Sequence, residues 1–527
     1  MIQQPIQDLL ARYADYLKKK DPLEEAPKIH VDEIATKVAS FYEKIRSVID
    51  YREEHLLRKN FIDRVFRRRM FLKDINEDVA EPLIKEIIRG GRLPNDYVPE
   101  SKIKEVEAII DNSHILIENF KKLRQKNSDE IINWLTTVTI SAIEEALFPP
   151  IKDEIVAEAM FWTIKKKLAV SGAQIGEEET SLQLFIGIQR ALLRVDEAQL
   201  QYRLLKFIYP EWNNPAAGNK ALIARDLPAV YAAIERHLRH PQRKYFFKLC
   251  NHYNTIFYLL GDLVEKHKSP EELKQIFEDE NLLEREISAN YQKRYDKERS
   301  RLNKMAFLSV LSIFLSKVLV ALAIEIPIDR YILGEYSVLN TSINIVFPAF
   351  LMLIIVLSIK MPTEANEDLV VKEAKKAVYG NGNGGYQLII PKKPKIFTRL
   401  IIRTIYLALF FGMFYALSIA LLEIGFSATN IVIFAFFTSL VAAAGIKISN
   451  RSKEISLEEK KAKFGGFVMD IFALPFITVG RWGLTALSKL NILVVLFNIV
   501  IELPFQLVVL FIENFRSFIK SEKEEIH

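Results

Sequence analysis

Apolar and charged positions are segregated along this chain of 527 residues. Up to about residue 300, apolar residues recur every three or four positions, as at Ile34, Val38 and Phe41, which is typical of amphipathic helices. Ser269-Pro270, followed by two glutamates, predicts a helix start, and no helix breaker follows until Pro327. This part of the chain therefore predicts a helical domain with one long helix leading out of it.

After residue 300 the pattern changes to long, mostly apolar segments of about 17–23 residues. A helix of roughly 20 residues crosses a hydrocarbon core about 30 Å thick. Six such segments exceed what a soluble domain can cover, so they predict transmembrane helices at 306–326, 343–359, 400–422, 429–446, 467–487 and 492–512. Asp470 and Pro475 interrupt the fifth segment, which can alternatively be a re-entrant or interfacial helix.

These patterns predict an all-α fold: a cytosolic helical domain over 1–300, then a polytopic transmembrane helix bundle over 301–527. Residues 360–399 are predicted to form a cytoplasmic loop. The single cysteine, Cys250, excludes a disulfide framework and a cysteine-rich zinc site, and it suits a reducing compartment. No charged segment followed by a short apolar run opens the sequence, so no cleavable signal peptide is predicted.

The net charge of +6 belongs to the apolar part of the chain. Residues 301–527 hold 24 Lys+Arg against 17 Asp+Glu, whereas residues 1–300 hold 48 against 49. A nucleic-acid-binding protein carries its basic excess on a soluble face, so this distribution disfavours nucleic acid as a partner. Lys and Arg concentrate in the segments after the second and fourth predicted spans, with Arg330 and Lys489 in the alternate loops. The positive-inside rule then places both termini in the cytoplasm.

Two motifs suggest cofactor chemistry, and ordinary explanations are favoured for both. Gly380, Gly382 and Gly385 have the spacing of a dinucleotide-binding loop, but they follow a Lys-rich helical stretch, so a flexible turn is favoured. The segment after them, 386–390, is the one place where period-two alternation suggests a strand. The other motif is a group of histidines with the cysteine, and partly buried histidines are favoured over a zinc site: His237, His240, Cys250 and His252. No cofactor or metal site and no catalytic motif is predicted.

A cluster of basic residues is interleaved with apolar ones at helical spacing: Arg58, Lys59, Arg64, Arg67, Arg68 and Arg69. Such a helix can lie on an anionic lipid surface or contact the phosphates of a nucleic acid. The favoured interpretation is a solvated basic face on a helix that packs through its apolar stripe.

Ionisable residues inside the predicted spans are the most informative candidates, because each costs roughly 2.5–3.5 kcal/mol on insertion scales. Their depths in the predicted topology suggest three opposite-charge pairs: Lys317–Glu502, Glu325–Arg481 and Arg403–Asp470. The four nearer the span ends can instead extend towards the membrane surface. Glu502 also stands two residues before Pro504, which joins an acid to a helix break and hints at a transport route.

Two stretches carry a resemblance: residues 78–96 read DVAEPLIKEIIRGGRLPND, and residues 473–482 read ALPFITVGRW, with IELPF at 501–505. They resemble uncharacterised polytopic membrane proteins of candidate-phyla bacteria. The resemblance implies a bacterial inner membrane and carries over no functional residue.

Two functions remain open at this point. The first is a membrane-anchored scaffold or interaction protein, whose cytosolic domain binds a protein partner or a second copy of the chain. The second is a transporter or channel that uses Lys317 and Glu502 at mid-membrane. A membrane-embedded enzyme ranks third because no span shows a paired acid or a His/Asp motif.

Overall fold

The computed structural model describes residues 2–31, 54–72, 78–123, 128–210, 212, 220–267, 269–334, 336–359, 361–380, 385–392, 395–452, 456–457 and 464–489. The chain divides into two compact units. The first comprises Met1–Ser300, Met361–Lys395 and Ser452–Lys460. The second comprises Arg301–Lys360, Ile396–Arg451 and Lys461–His527.

Helices make up almost all of the described structure, as the sequence predicts. In chain order they are α1 Gln4–Glu25, α2 Glu54–Leu72, α3 Ala80–Arg89, α4 Ser101–Lys122, α5 Ser128–Leu147, α6 Ile151–Lys167, α7 Glu177–Ala191, α8 Glu197–Ile208, α9 Lys220–Leu238, α10 Arg243–Lys266, α11 Pro270–Glu278, α12 Glu280–Val320, α13 Val338–Leu357, α14 Glu364–Tyr379, α15 Ile396–Glu423, α16 Ala428–Ser452 and α17 Phe464–Lys489. Two short strands, β1 Leu168–Ser171 and β2 Tyr386–Ile389, complete the set together with two π-helical segments, Ala321–Glu325 and Ile328–Leu333.

The predicted helix start at Ser269 is confirmed. The Ser269 side chain accepts a hydrogen bond from the Glu272 N–H, and Pro270 occupies the first turn of α11. The predicted continuous helix from there to Pro327 is wrong, because α11 ends at Glu278. Asp279 then caps a new helix, α12, by accepting from the N–H groups of Asn281 at 2.8 Å and Leu282 at 3.2 Å.

The described residues of the first unit form three hydrophobic cores. The largest lies among α1, α6, α7, α10, α11, α14 and β2, and a second among α2, α3, α4 and α5. The third lies among α4, α5, α7, α8 and α9. Helices α5 and α6 are also apolar and meet at a bend of 107° at Pro149-Pro150. Their buried side chains pack into these cores.

The segment predicted to be a loop at 360–399 instead supplies α14 and β2 to the first unit. Val370, Ala374 and Val378 recur every four residues and are buried together in the largest core. β2 confirms the predicted strand and pairs in parallel with β1. Gly172 follows β1 with φ +88°, and a Cβ atom there would lie 2.0 Å from the Ile390 carbonyl oxygen.

Among the residues that the structure describes, four helical stretches are long and apolar enough to cross a membrane, which indicates a membrane protein. They are Glu280–Leu333, Val338–Leu357, Ile396–Glu423 and Ala428–Ser452, and each overlaps one of the first four predicted spans. The fifth predicted span, 467–487, falls in α17, whose apolar part Ile471–Ala486 is shorter. The sixth, 492–512, lies outside the described residues.

Small residues allow close packing inside the second unit. A Cβ atom at Gly480 of α17 would lie 1.9 Å from the Ser439 carbonyl oxygen of α16. A Cβ atom at Gly445 of α16 would meet the Ile355 side chain of α13 at 2.6 Å. Helices in a membrane associate largely through such close contacts, because lipid chains are as apolar as the side chains themselves.

Candidate functional site

The strongest candidate site is a set of buried charges in the second unit. Lys317, Glu325 and Asp329 lie on the stretch formed by the end of α12 and the two π-helical segments after it, and each is at most 1% exposed. In a regular α-helix, eight residues overshoot two turns by about 80°, so Lys317 and Glu325 would face different directions. The π-helical turn between them uses more residues per turn and brings both side chains to one face.

Glu325 is held by two donors. The Lys317 ammonium donates to Oε1, and the Asn344 amide of α13 donates to Oε2 at 2.9 Å. The Lys317 nitrogen also lies 5.1 Å from the centre of the Phe437 ring of α16, a cation–π contact. A fully buried ion pair needs such extra partners, because desolvation of both charges opposes their attraction.

Asp329 is held at the start of α16. The Ser427 hydroxyl donates to Oδ1 at 2.8 Å, and the Asn430 amide donates to Oδ2 at 2.6 Å. The Ser427 oxygen in turn accepts from the Asn430 backbone N–H at 3.2 Å, as an N-cap residue does. A carboxylate at a helix N-terminus is stabilised by the partial positive charge of the helix dipole.

An amide bridge joins the two carboxylates. The Asn344 Nδ2 lies 3.3 Å from Asn430 Oδ1, so one chain of contacts runs from Lys317 through Glu325, Asn344 and Asn430 to Asp329. We call these five residues with Ser427 the buried network. Within the described residues, Asn344 Oδ1 is buried and accepts no hydrogen bond. With both carboxylates ionised, the buried network carries one positive and two negative charges.

The structure changes the partners predicted for the intramembrane charges. The prediction of a Glu325–Arg481 pair is wrong, because Glu325 pairs with Lys317 and Arg481 is exposed on α17. Glu502 lies outside the described residues, so a contact between Glu502 and Lys317 stays a prediction.

The pair Arg403–Asp470 also stays a prediction. Arg403 is exposed on α15, and the Asp470 side chain lies outside the described residues. Sequence reasoning missed Asp329, which it left in a loop, and the asparagines of α13 and α16. The available signal was polar Asn344 and Asn430 inside apolar segments, where an amide needs a partner.

The predicted lipid-surface patch lies on α2, and its cations contact groups of the first unit. Arg58 lies 3.6 Å from Glu144 and Lys59 lies 2.5 Å from Asp196. The other contacts are Arg67 to Asp63 at 2.7 Å, Arg68 and Arg69 to Glu86, and Arg64 over the Phe61 ring at 5.3 Å. The apolar residues between them, such as Ile62 and Phe66, are buried. These contacts fit the favoured interpretation of a helix packed through its apolar stripe.

The histidine and glycine motifs have structural surroundings. His237 Nδ1 lies 2.8 Å from Glu179, and His240 lies 3.9 Å from the same carboxylate. Cys250 is fully buried, and burial raises the pKa of its thiol. No group of three His, Cys, Asp or Glu side chains among the described residues is arranged to hold a metal ion. Gly380 ends α14 in the left-handed conformation, with φ +74°.

The first unit carries an open cavity of about 350 Å³ lined by aromatic rings of three helices. Phe161 and Trp162 belong to α6, Phe185 to α7 and Phe207 to α8. The Phe185 and Phe207 rings stack with centroids 4.4 Å apart, and the Phe161 ring meets Phe207 edge-on at 6.1 Å. Trp162 is 48% exposed and Phe207 is 41% exposed. We call this cavity the aromatic groove.

Among the described residues, one charged side chain of the aromatic groove, Glu154, has no ion-pair partner. Arg203 and Lys206 both bind Glu145, Arg203 at 2.9 Å. Glu154 lines the same groove and makes no ion pair with any described residue. Desolvation and the nearby Glu145 carboxylate raise the pKa of Glu154. The Glu154 side chain is exposed at the groove, so a cation from a binding partner can approach it.

No protein-family model matches the chain, and neither a curated protein nor a solved structure matches it. Function is therefore inferred from the residues themselves.

Proposed function

We propose that the chain is a six-span protein of a bacterial inner membrane, with both termini and the first unit in the cytoplasm. Two observations support this topology. Four described helices are long and apolar enough to span, and fourteen Lys and Arg residues fall in segments on one predicted side against two on the other.

Cysteine labelling tests the orientation cleanly, because the native Cys250 is fully buried. Glu423→Cys lies at the exposed end of α15, and Asp368→Cys is exposed in the first unit. A membrane-impermeant maleimide is expected to label the Glu423→Cys variant in intact spheroplasts and the Asp368→Cys variant only after lysis. The reverse pattern would invert the topology.

We propose further that the protein is a membrane-anchored interaction protein, and the aromatic groove is the observation that carries this function. Two large rings are left partly exposed beside a carboxylate without an ion-pair partner in the described structure. Apolar pockets with a few placed polar groups are typical binding sites. The chemistry fits a segment of a partner protein that inserts an apolar side chain and places a Lys or Arg against Glu154.

Site-specific photo-cross-linking in native membranes tests this proposal. A benzophenone side chain at Trp162 is expected to capture one protein, and the cross-linked peptide should carry a basic residue beside an apolar one. Glu154→Lys should lower the yield several-fold, because like charges then face each other. The matched control is Tyr97, which is 61% exposed on the first unit, does not line the groove and should give no adduct.

Three results would overturn the interaction proposal. Adducts equally strong at Tyr97 would show non-specific capture. Adducts with a second copy of the chain would make the groove a self-association surface, and adducts with lipid alone would make it a lipid site.

A second candidate, transport, is favoured by the buried network. Its ion pair joins Lys317 at the end of α12 to Glu325 of the following π-helical turn, and such turns are frequent at functional sites. Full-length protein reconstituted in liposomes should then move protons or small cations faster than empty liposomes. Lys317→Met should abolish the flux per molecule of folded protein, and flux equal to that of empty liposomes would remove this candidate.

A further inference from the structure

We propose that the occupant of the aromatic groove is an amphipathic helix of the partner protein, and that this helix lies antiparallel to α6. The proposal rests on the interaction function proposed above, and it adds the conformation, the charge order and the direction of the bound segment. It is carried by the order of charged and aromatic side chains along α6, by the shape of the groove and by the helix dipoles.

One face of α6 carries acids, aromatic rings and a base in that order. Four residues that line the groove follow one another at intervals of four, three and one positions: Glu154, Glu158, Phe161 and Trp162. Lys165 continues the same face, because its ammonium lies 5.5 Å from the centre of the Phe161 ring and 5.3 Å from that of Trp162. Residues at such spacing share one side of a helix. The face therefore has an acidic end, an apolar centre and a basic end.

This order predicts the charges of the bound segment. Its cation meets Glu154 at the acidic end, and its carboxylate meets Lys165 at the basic end. Between these two contacts, its apolar side chains cover the exposed rings of α6 and α8. The two cations that line the groove from α8, Arg203 and Lys206, both bind Glu145. The Glu154 side chain itself is exposed to an incoming cation.

The spacing of the two end charges favours a helical segment. Glu154 and Lys165 are eleven positions apart on α6, a distance of about 16 Å along its axis. A helix laid beside α6 repeats its side chains at the same interval, so its charged ends and apolar centre match those of α6 over three turns. An extended segment covers the same distance with only about five residues, and its alternate side chains point away from the groove.

The helix dipoles determine the direction of the bound helix. α6 has acids in its first turn and lysines in its last turn, the arrangement that its own dipole stabilises. A bound helix gains the same stabilisation when its acid lies near its N-terminus and its cation near its C-terminus. With that cation at Glu154 and that acid at Lys165, the bound helix runs antiparallel to α6.

The shape of the groove favours a partner helix over a second copy of the chain. α6 itself has the required charge order, so two copies can in principle pair through it in an antiparallel contact. Such a contact would set one open cavity of about 350 Å³ against another and leave both unfilled. A helix that presents a convex apolar ridge fills the groove instead, which gives the close packing that protein interfaces have.

Photo-cross-linking of the full-length protein in native membranes, at two positions of α6, tests the conformation and the direction. Benzophenone side chains are placed separately at Ile151, which is 38% exposed, and at Trp162, eleven positions later. We expect both positions to capture the same segment of one protein. The residue captured from Trp162 should precede the residue captured from Ile151 by about eleven positions. An extended segment would give an offset of about five, and a parallel helix would reverse the order.

Charge reversal tests the order of the charges. Glu154→Lys and Lys165→Glu should each lower the yield at Trp162 several-fold. Reversal of the matching charge on the captured segment should restore it, a cation on the C-terminal side for Glu154→Lys and an acid on the N-terminal side for Lys165→Glu. Lys166→Glu is the matched control, because Lys166 is exposed on α6, lies off the groove face and should leave the yield unchanged.

The outcomes distinguish the helix proposal from the function on which it rests. Both fail if Trp162 captures no protein, if Tyr97 gives adducts of equal strength, or if the captured protein is a second copy of the chain. The helix proposal alone fails if one protein is captured with an offset of about five or in the reverse order. It also fails alone if Lys165→Glu lowers the yield no more than Lys166→Glu does.

Discussion

The two units each bury a three-charge cluster, but they surround it differently. In the first unit, Arg203 and Lys206 share Glu145, with side-chain exposures of 7%, 36% and 11%. Water therefore reaches the edge of that cluster. In the second unit, Lys317 and Glu325 are fully buried, and Asp329 beside them is 1% exposed.

This difference determines what holds each charge. In the first unit, water and a second cation both stabilise the Glu145 carboxylate, so solvent can replace a lost partner. In the second unit, amides, a hydroxyl and an aromatic ring contact the charges where water would do so at a surface. These groups stay fixed in place. The same ion-pair chemistry should therefore be far more sensitive to substitution in the second unit.

The largest expected effect is at Lys317. Lys317→Met leaves Glu325 buried without its cation, and removal of one partner from a buried pair destabilises proteins by about 3–5 kcal/mol. We expect a sharply lower thermal midpoint in detergent, or no folded protein. The measurement is the fraction of monodisperse protein after a heating series.

The double variant Lys317→Met/Glu325→Gln is the control for this prediction. It removes both charges, so it should be more stable than Lys317→Met alone. The comparison fails if the double variant is no more stable than Lys317→Met, or if Lys317→Met is as stable as the wild type. Charges in the second unit would then be no more sensitive to substitution than those in the first.

A packing test separates charge from close fit. Gly480→Ala forces a methyl group against the Ser439 carbonyl oxygen, and overpacking of this kind costs typically about 1–3 kcal/mol. Gly412 on α15 is the matched control, because a methyl group added there would meet no other atom within 4 Å. We expect the thermal midpoint to fall for Gly480→Ala and to stay the same or rise slightly for Gly412→Ala. Equal thermal midpoints for Gly480→Ala and Gly412→Ala would contradict the close approach of α16 and α17 at Gly480.

The corresponding charge test in the first unit should give a smaller effect. Arg203→Met deprives Glu145 and Gln189 of a donor at 2.9 Å and 2.8 Å, for a loss of about 1–3 kcal/mol. Lys206→Met, at the exposed edge of the same cluster, should cost less than about 1 kcal/mol. Thermal midpoints of the two variants check this order, and an Arg203 effect as large as that of Lys317 would contradict the comparison.

Sequence patterns predicted the helical fold and the first four apolar spans, because periodicity and segment length report directly on burial. They did not predict that α14 and β2 join the first unit. Gly380 and the lysines around these elements are typical of a loop. They mark the ends of α14 and β2 and give no information on the buried faces.

The candidate site was predicted in part. Lys317 and Glu325 were identified as costly charges, but their partners were assigned by depth in a regular helix. The π-helical turn changes the direction of the Glu325 side chain. The residues from 321 to 325 do not predict this turn, and the nearby signal is Pro327, two residues after it. The aromatic groove was not predicted, because its four rings come from three helices whose arrangement is a tertiary property.

The smallest expected effect concerns pH and the buried Glu144 of α5, which is 2% exposed. Burial raises the pKa of Glu144, although Gln199 donates to it at 2.8 Å and Arg58 lies nearby. The folded state therefore binds this proton more tightly than the unfolded state, and the free energy of unfolding should fall as the pH rises from the ordinary glutamate pKa through the raised one. Glu144→Gln should remove that part of the pH dependence, measured as thermal midpoints across a pH series.

Glu118 provides a control of opposite sign. The hydrogen bond from Lys121 lowers the pKa of Glu118, so its contribution is present above the ordinary glutamate pKa and is lost as the pH falls through the lowered one. Because this pair is exposed, Glu118→Gln should change the midpoints only slightly. If Glu144→Gln leaves the pH series unchanged while Glu118→Gln alters it, water reaches Glu144 as freely as it reaches the surface. The contrast would then lie between the fully buried charges of the second unit and a Glu144 carboxylate that solvent reaches in the first unit.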